Sequence, residues 1–181
     1  MIGADRPLDG DVTQWEGFAR ALSDELVRLP MEAVLILAER DDPKHFVQFL
    51  QDTDELQAEA AGGDFGDPIG SLSVRDRRLL DAVGWREPTL ADEAPTWQYP
   101  LPWPATTEEY RRLATAVVTA LRDVQEVATP ANLVYRSWES GGRRRAVRLP
   151  GVGPDEGYVP EGYVPEGYVS EEGVPEEDGA A

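Results

Sequence analysis

Apolar positions along this chain follow two periods. Between residues 12 and 29, Trp15, Phe18, Leu22, Leu26 and Leu29 recur every three or four positions, which gathers them on one face of a helix. Thr13 and Glu16 have the spacing of a capping box, and Pro30 closes the segment. The same grammar predicts a helix over 106–127. Thr106 and Glu109 are spaced to cap it, Tyr110, Leu113, Val117, Leu121 and Val124 form its stripe, and Pro130 stops it. A shorter helix follows Ser73 and Asp76. Leu79, Leu80 and Val83 supply its apolar face, Gly84 caps its end, and Trp85 turns back onto the core.

Between these segments the period falls to two. Met31–Glu39 is rich in branched aliphatics. Lys44–Gln51 sets Phe46, Gln48 and Leu50 against Val47, Phe49 and Gln51. Glu55–Ala60 sets Leu56, Ala58 and Ala60 against Gln57 and Glu59. The connections Arg40–Pro43 and Thr53–Asp54 are short turns, so these strands pair antiparallel. Residues 62–68 read as a loop. Residues 88–104 hold five prolines, which confines them to an edge strand or an irregular hairpin. Ala131–Trp138 reads as a last strand. Strands grouped between helices predict an α+β fold, with an antiparallel sheet that has one covered and one partly open face.

Composition narrows the function. The 181 residues include 35 acids, 17 bases, one histidine and no cysteine. Disulfides, thiolate nucleophiles and zinc–thiolate sites are therefore excluded. The longest aliphatic run, Ala33–Ala38, falls far short of the roughly 20 residues of a membrane helix. Met1–Gly10 lacks the basic-then-apolar order of a secretory signal, so the expected location is cytoplasmic, with no membrane partner. The acid excess argues against nucleic acid as a partner.

The last 31 residues carry nine acids and no base. Within them Glu156–Pro160 recurs at Glu161–Pro165 and Glu166–Ser170, and a degenerate copy follows at Glu172–Pro175. A period of five fits neither helix nor strand, and the apolar surface is too small to offset chain entropy. The expected organisation is a flexible N-terminus over 1–11, an α+β domain over 12–138, a basic transition segment over 139–150 and a disordered acidic repeat tail over 151–181.

No reaction centre emerges. His45, beside Asp41 and Asp42, has the makings of a general base, but no serine or cysteine elbow accompanies it, and it reads as a turn histidine. Glu59 and Glu39 are candidates for a carboxylate pair. The plainer reading of Glu59 is a strand carboxylate on the open face, or one paired with an arginine. Asp41-Asp42 lacks calcium-loop spacing, and the glycine pairs 62–63 and 141–142 lack the lysine of a phosphate loop. Arg136, Arg143, Arg144, Arg145 and Arg148 make the basic cluster. It is read either as an independently solvated charge run or as the dock of the acidic tail. Trp85, Trp97, Tyr99 and Trp103 are mainly core candidates, with one side chain of the proline-rich edge left half-exposed for a partner. No catalytic residue, cofactor or metal is expected.

The order of motifs adds a resemblance. Trp15, Phe18 and Leu22 are followed by Ala33-Val34-Leu35-Ile36-Leu37, then Phe46-Val47-Gln48-Phe49, then Leu56 with Ala58-Glu59. Next come Leu79-Leu80 with Gly84-Trp85 and Pro88, and finally Trp97 and Leu121-Arg122-Asp123-Val124 before Pro130. Over residues 12–138 this resembles the actinobacterial TY-Chap family of type III secretion chaperone-like and YbjN-like peptide-binding domains. The resemblance implies a twisted antiparallel sheet packed by helices, a non-enzymatic role, an extended segment of a client protein as partner, and a possible homodimer. Phe46, Gln48, Leu56, Trp97 and Tyr99 are the expected peptide-binding residues, on a sheet face or edge that remains open at this point. A different class of function, an inhibitor or immunity-type protein blocking a folded basic partner, fits the same acidity. A hydrolase using Glu59 or His45 is the third alternative.

Overall fold

Two of the three capping signals close as expected. Ser73 accepts a hydrogen bond from the Asp76 amide at 3.1 Å and opens helix α2, Val74–Ala82. Thr106 and Glu109 exchange the reciprocal bonds of a capping box at the start of helix α3, Thr107–Val118. The third does not. Helix α1, Asp9–Val27, begins one turn before Thr13, so Thr13 lies inside the helix rather than at its N-cap. The chain is described by a computed structural model covering residues 9–62, 72–89 and 96–157. The repeats after Gly157, the start of the chain and most of the 62–68 loop lie outside the described residues.

Among the described residues six strands form one open sheet: β1 Val34–Glu39, β2 Phe46–Gln51, β3 Glu55–Ala61, β4 Thr96–Pro102, β5 Leu133–Trp138 and β6 Gly153–Pro154. Their order is β4-β3-β2-β1-β5-β6. Every pairing is antiparallel except β5 with β6, so the sheet is mixed rather than purely antiparallel. The fold is α+β, as expected.

Alternation sends Leu35, Leu37, Val47, Phe49, Leu56, Ala58 and Leu101 to one face, where they are buried with Phe18, Leu22 and Leu26 of α1 and Leu113 and Val117 of α3. Trp15 and Trp85 are buried as well, and each satisfies its indole N–H on a backbone carbonyl, Ala128 at 3.4 Å and Ala116 at 3.0 Å. Among the described residues the helices thus cover one face of the sheet and leave the other.

The long second helix differs from its sequence reading. After Val118 it widens into a π-helical turn, Thr119–Val124, and the Gln125 amide bonds five residues back to Ala120. The extra residue swings Gln125 beneath the sheet. Its side-chain amide donates to the carbonyls of Phe46 at 3.1 Å and Ala61 at 3.0 Å, tying the start of β2 to the end of β3.

The boundary expected at Trp138 is also moved. Gly141 and Gly142, at φ +82° and +77°, reverse the chain so that the Arg145 amide reaches Ser137 at 2.9 Å. Val147, Leu149 and Val152 then enter the core, and the Asp155 amide bonds Tyr135 at 2.8 Å. The segment read as a basic transition and the start of the tail is part of the folded body. The charged side chains outnumber these three apolar ones, which hid their role.

Candidate functional site

The uncovered face is built in rows across the strands. Register places Arg136, Ile36, Gln48, Glu59 and Gln98 side by side, one from each of β5, β1, β2, β3 and β4. The next row runs Trp138, Val34, Leu50, Gln57 and Pro100. These rows enclose a depression of ≈ 240 Å³ lined by Val34, Ile36, Gln48, Leu50, Gln57, Glu59 and Trp138 together with Phe49. Leu50 is 42% exposed, a large value for leucine in a middle strand. The surface is aliphatic at its centre, aromatic at one end and polar at the other.

The polar end is organised around Glu59. Gln48 donates to its Oε2 at 2.6 Å from the neighbouring strand, and Gln57 donates to its Oε1 at 3.3 Å from the same strand. At the opposite end Arg136 pairs with Asp155 at 2.8 Å.

Both edges of the sheet are closed to a further strand. On β4, Gln98 exchanges both backbone bonds with Arg86, at 2.8 and 3.0 Å, so its polar backbone groups point outward. Pro100 and Pro102 stand two and four residues on and share that direction, with no N–H to offer. On the other side β5 is covered by the Arg144 bridge to Trp138 and by β6. A peptide seeking main-chain hydrogen bonds finds few donors at either edge.

The sequence-predicted residues divide. Phe46 and Gln48 belong to the open face, half-buried among its rows. Leu56 and Trp97 are core side chains, 0% and 2% exposed, and have no surface for a partner. Tyr99 lies on the covered side, edge-on to Trp85 with ring centroids 5.7 Å apart. Trp103, 46% exposed, is the half-exposed aromatic of the proline-rich edge. Sequence reasoning set Leu50 on the face of Phe46 and Gln48 but named neither it nor Ile36 or Trp138 as a binding residue. Their signal was the alternation itself, which needed the strand register to become a surface.

The catalytic candidates come apart. His45 Nδ1 meets Glu39 Oε2 at 2.7 Å, opposite it at the end of the β1–β2 hairpin, rather than Asp41 or Asp42. Alternation puts Glu39 on the side of Leu35 and Leu37, and Glu59 on the other face, so the two carboxylates do not meet. Among the described residues no three His, Asp or Glu side chains gather as a metal site would require, and no helix is long and apolar enough to cross a membrane. Three arginines of the basic cluster are engaged internally. Arg143 pairs with Glu139, Arg145 with Glu25 and Arg136 with Asp155.

Residues 9–139 match the family model TY-Chap3, described as T3SS (YopN, CesT) and YbjN peptide-binding chaperone 3. This chain belongs to the TY-Chap3 family. The match ends at Glu139, so the segment that closes the β5 edge and fills the core with Val147, Leu149 and Val152 lies beyond the TY-Chap3 region. Neither a curated protein nor a solved structure matches the chain. Membership in TY-Chap3 supports a chaperone or adaptor role and agrees with the fold expected from the sequence.

Proposed function

We propose that this protein is a non-catalytic chaperone or adaptor that holds an extended segment of a client on the uncovered face of its sheet, around Ile36, Gln48, Leu50 and Trp138. One observation carries the choice of surface. Both edges are blunted by prolines or by the chain itself, while one face keeps an aliphatic depression that no described helix covers. An extended peptide can set alternate side chains into such a surface, burying apolar area worth about 25 cal/mol per Å². Of the residues expected from the sequence, Phe46 and Gln48 remain in this reading.

The test is binding of fluorescently labelled unfolded peptides to the full chain, followed by anisotropy. Ile36→Asp and Leu50→Asp should each weaken binding at least tenfold, the loss of about 1.4 kcal/mol, with the circular dichroism spectrum unchanged. Trp103→Ala, at the β4 edge, should bind as the native chain does. If the face variants bind normally and the edge variant does not, the surface is wrongly chosen. An inhibitor of a folded enzyme would instead bind the native partner and ignore its unfolded segments.

A further inference from the structure

Resting on that reading of the face, we infer that the client segment carries a lysine or arginine two residues from an apolar side chain, and that Glu59 is the residue that selects it. Glu59 is a half-buried carboxylate at the rim of an aliphatic depression. Its two oxygens are each held by a neutral amide, Gln48 at 2.6 Å and Gln57 at 3.3 Å. These donors fix its orientation and leave its charge in place. Among the described residues no Lys, Arg or His pairs with it. Arg136, in the same cross-strand row, is neutralised by Asp155 at 2.8 Å. The face therefore presents an oriented, uncompensated acid beside apolar surface, and a base fits it where an acid would be repelled.

Spacing follows from the register. Gln48 faces Glu59 and Leu50 faces Gln57, so Leu50 is the diagonal neighbour of Glu59, on the order of 7–8 Å away. In an extended peptide, residues i and i+2 share a face and lie about 7 Å apart. A segment of the form apolar-x-base sets its apolar side chain on Leu50 while its cation reaches Glu59.

Anisotropy titrations of the full chain with short Thr/Val peptides carrying Val-Thr-Lys, Val-Thr-norleucine or Val-Thr-Glu read this out. The lysine peptide should bind about fivefold tighter than the norleucine one, the equivalent of about 1 kcal/mol for a partly shielded pair. The advantage should shrink as salt rises. Glu59→Gln should erase it with little change for norleucine, and Glu59→Lys should transfer it to the glutamate peptide. Moving the lysine one position, to the other side of the strand, should lose it too. Equal binding of all three peptides to the native chain overturns the selection by Glu59 and leaves the face as the site. Binding of none of them, with Ile36→Asp equally inert, overturns the face itself.

Discussion

Arg145 and Glu25 meet at 3.2 Å although 120 residues separate them, and their side chains are only 13% and 6% exposed. The pair ties the C-terminal segment to helix α1. Arg28 stands at 3.7 Å from the same carboxylate but is largely in solvent. Removing Arg145 leaves Glu25 buried with this weaker partner, and an orphaned buried charge is costly. Arg145→Ala should lower unfolding stability by about 3 kcal/mol, measured by urea denaturation. Arg143→Ala, whose side chain is 80% exposed, should stay within about 1 kcal/mol of the native chain.

Gln125 owes its reach to the π-helical turn before it. Gln125→Ala removes both side-chain bonds to Phe46 and Ala61 and should cost about 1–3 kcal/mol. Amide hydrogen exchange should show the β2 start and the β3 end opening first, while α2 keeps its native protection.

Gly84 ends α2 in a Schellman arrangement, with the Trp85 amide on Leu80 and the Gly84 amide on Asp81, both at 3.1 Å. Its φ is +102°, and a Cβ there would stand 2.9 Å from the Tyr99 ring. Gly84→Ala should therefore destabilise the fold by about 2 kcal/mol, from backbone strain and displacement of Tyr99. Tyr99→Ala in the same chain should recover part of that added loss, which a double-mutant cycle of urea midpoints would show.

The blunted β4 edge is a second checkable device. A Pro100→Thr/Pro102→Thr variant restores two outward N–H groups and should self-associate at concentrations where the native chain does not. Sedimentation velocity reads the difference. An unchanged sedimentation profile would mean that the prolines do not guard the edge.

Glu109 carries a pH prediction. The Thr106 backbone N–H and then its hydroxyl bond the carboxylate, holding its pKa below the ordinary 4.5. A lowered folded-state value means that its contribution to stability is complete above 4.5 and is lost as pH falls through the lower folded value. A carboxyl NMR titration should find Glu109 below 4.5, and Thr106→Ala, which keeps the backbone donor, should bring it part-way back.

Much of the fold was legible because local chemistry specifies it. The Ser73 and Thr106 caps, the stripe from Trp15 to Leu26 and the alternation of Phe46–Gln51 act over a few residues, and each appears where the sequence put it. The site was less legible. Alternation divides a strand into two faces without saying which one the helices take, so Gln48 and Leu56 looked equally available. Pairing register then sent Gln48 to the open face and Leu56 to the core. The fate of Val147, Leu149 and Val152 had no local signal either. Burial of three apolar side chains scattered among arginines depends on a turn at Gly141-Gly142 and on Glu25 waiting for Arg145. Sequence by itself determined most of the helices and strands and the acidic balance, through period and composition, and pointed to the family through the order of its motifs. Only the tertiary structure decided which face the described helices leave open, how the edges are blunted and that no base among the described residues pairs with Glu59, because those depend on contacts between residues far apart along the chain.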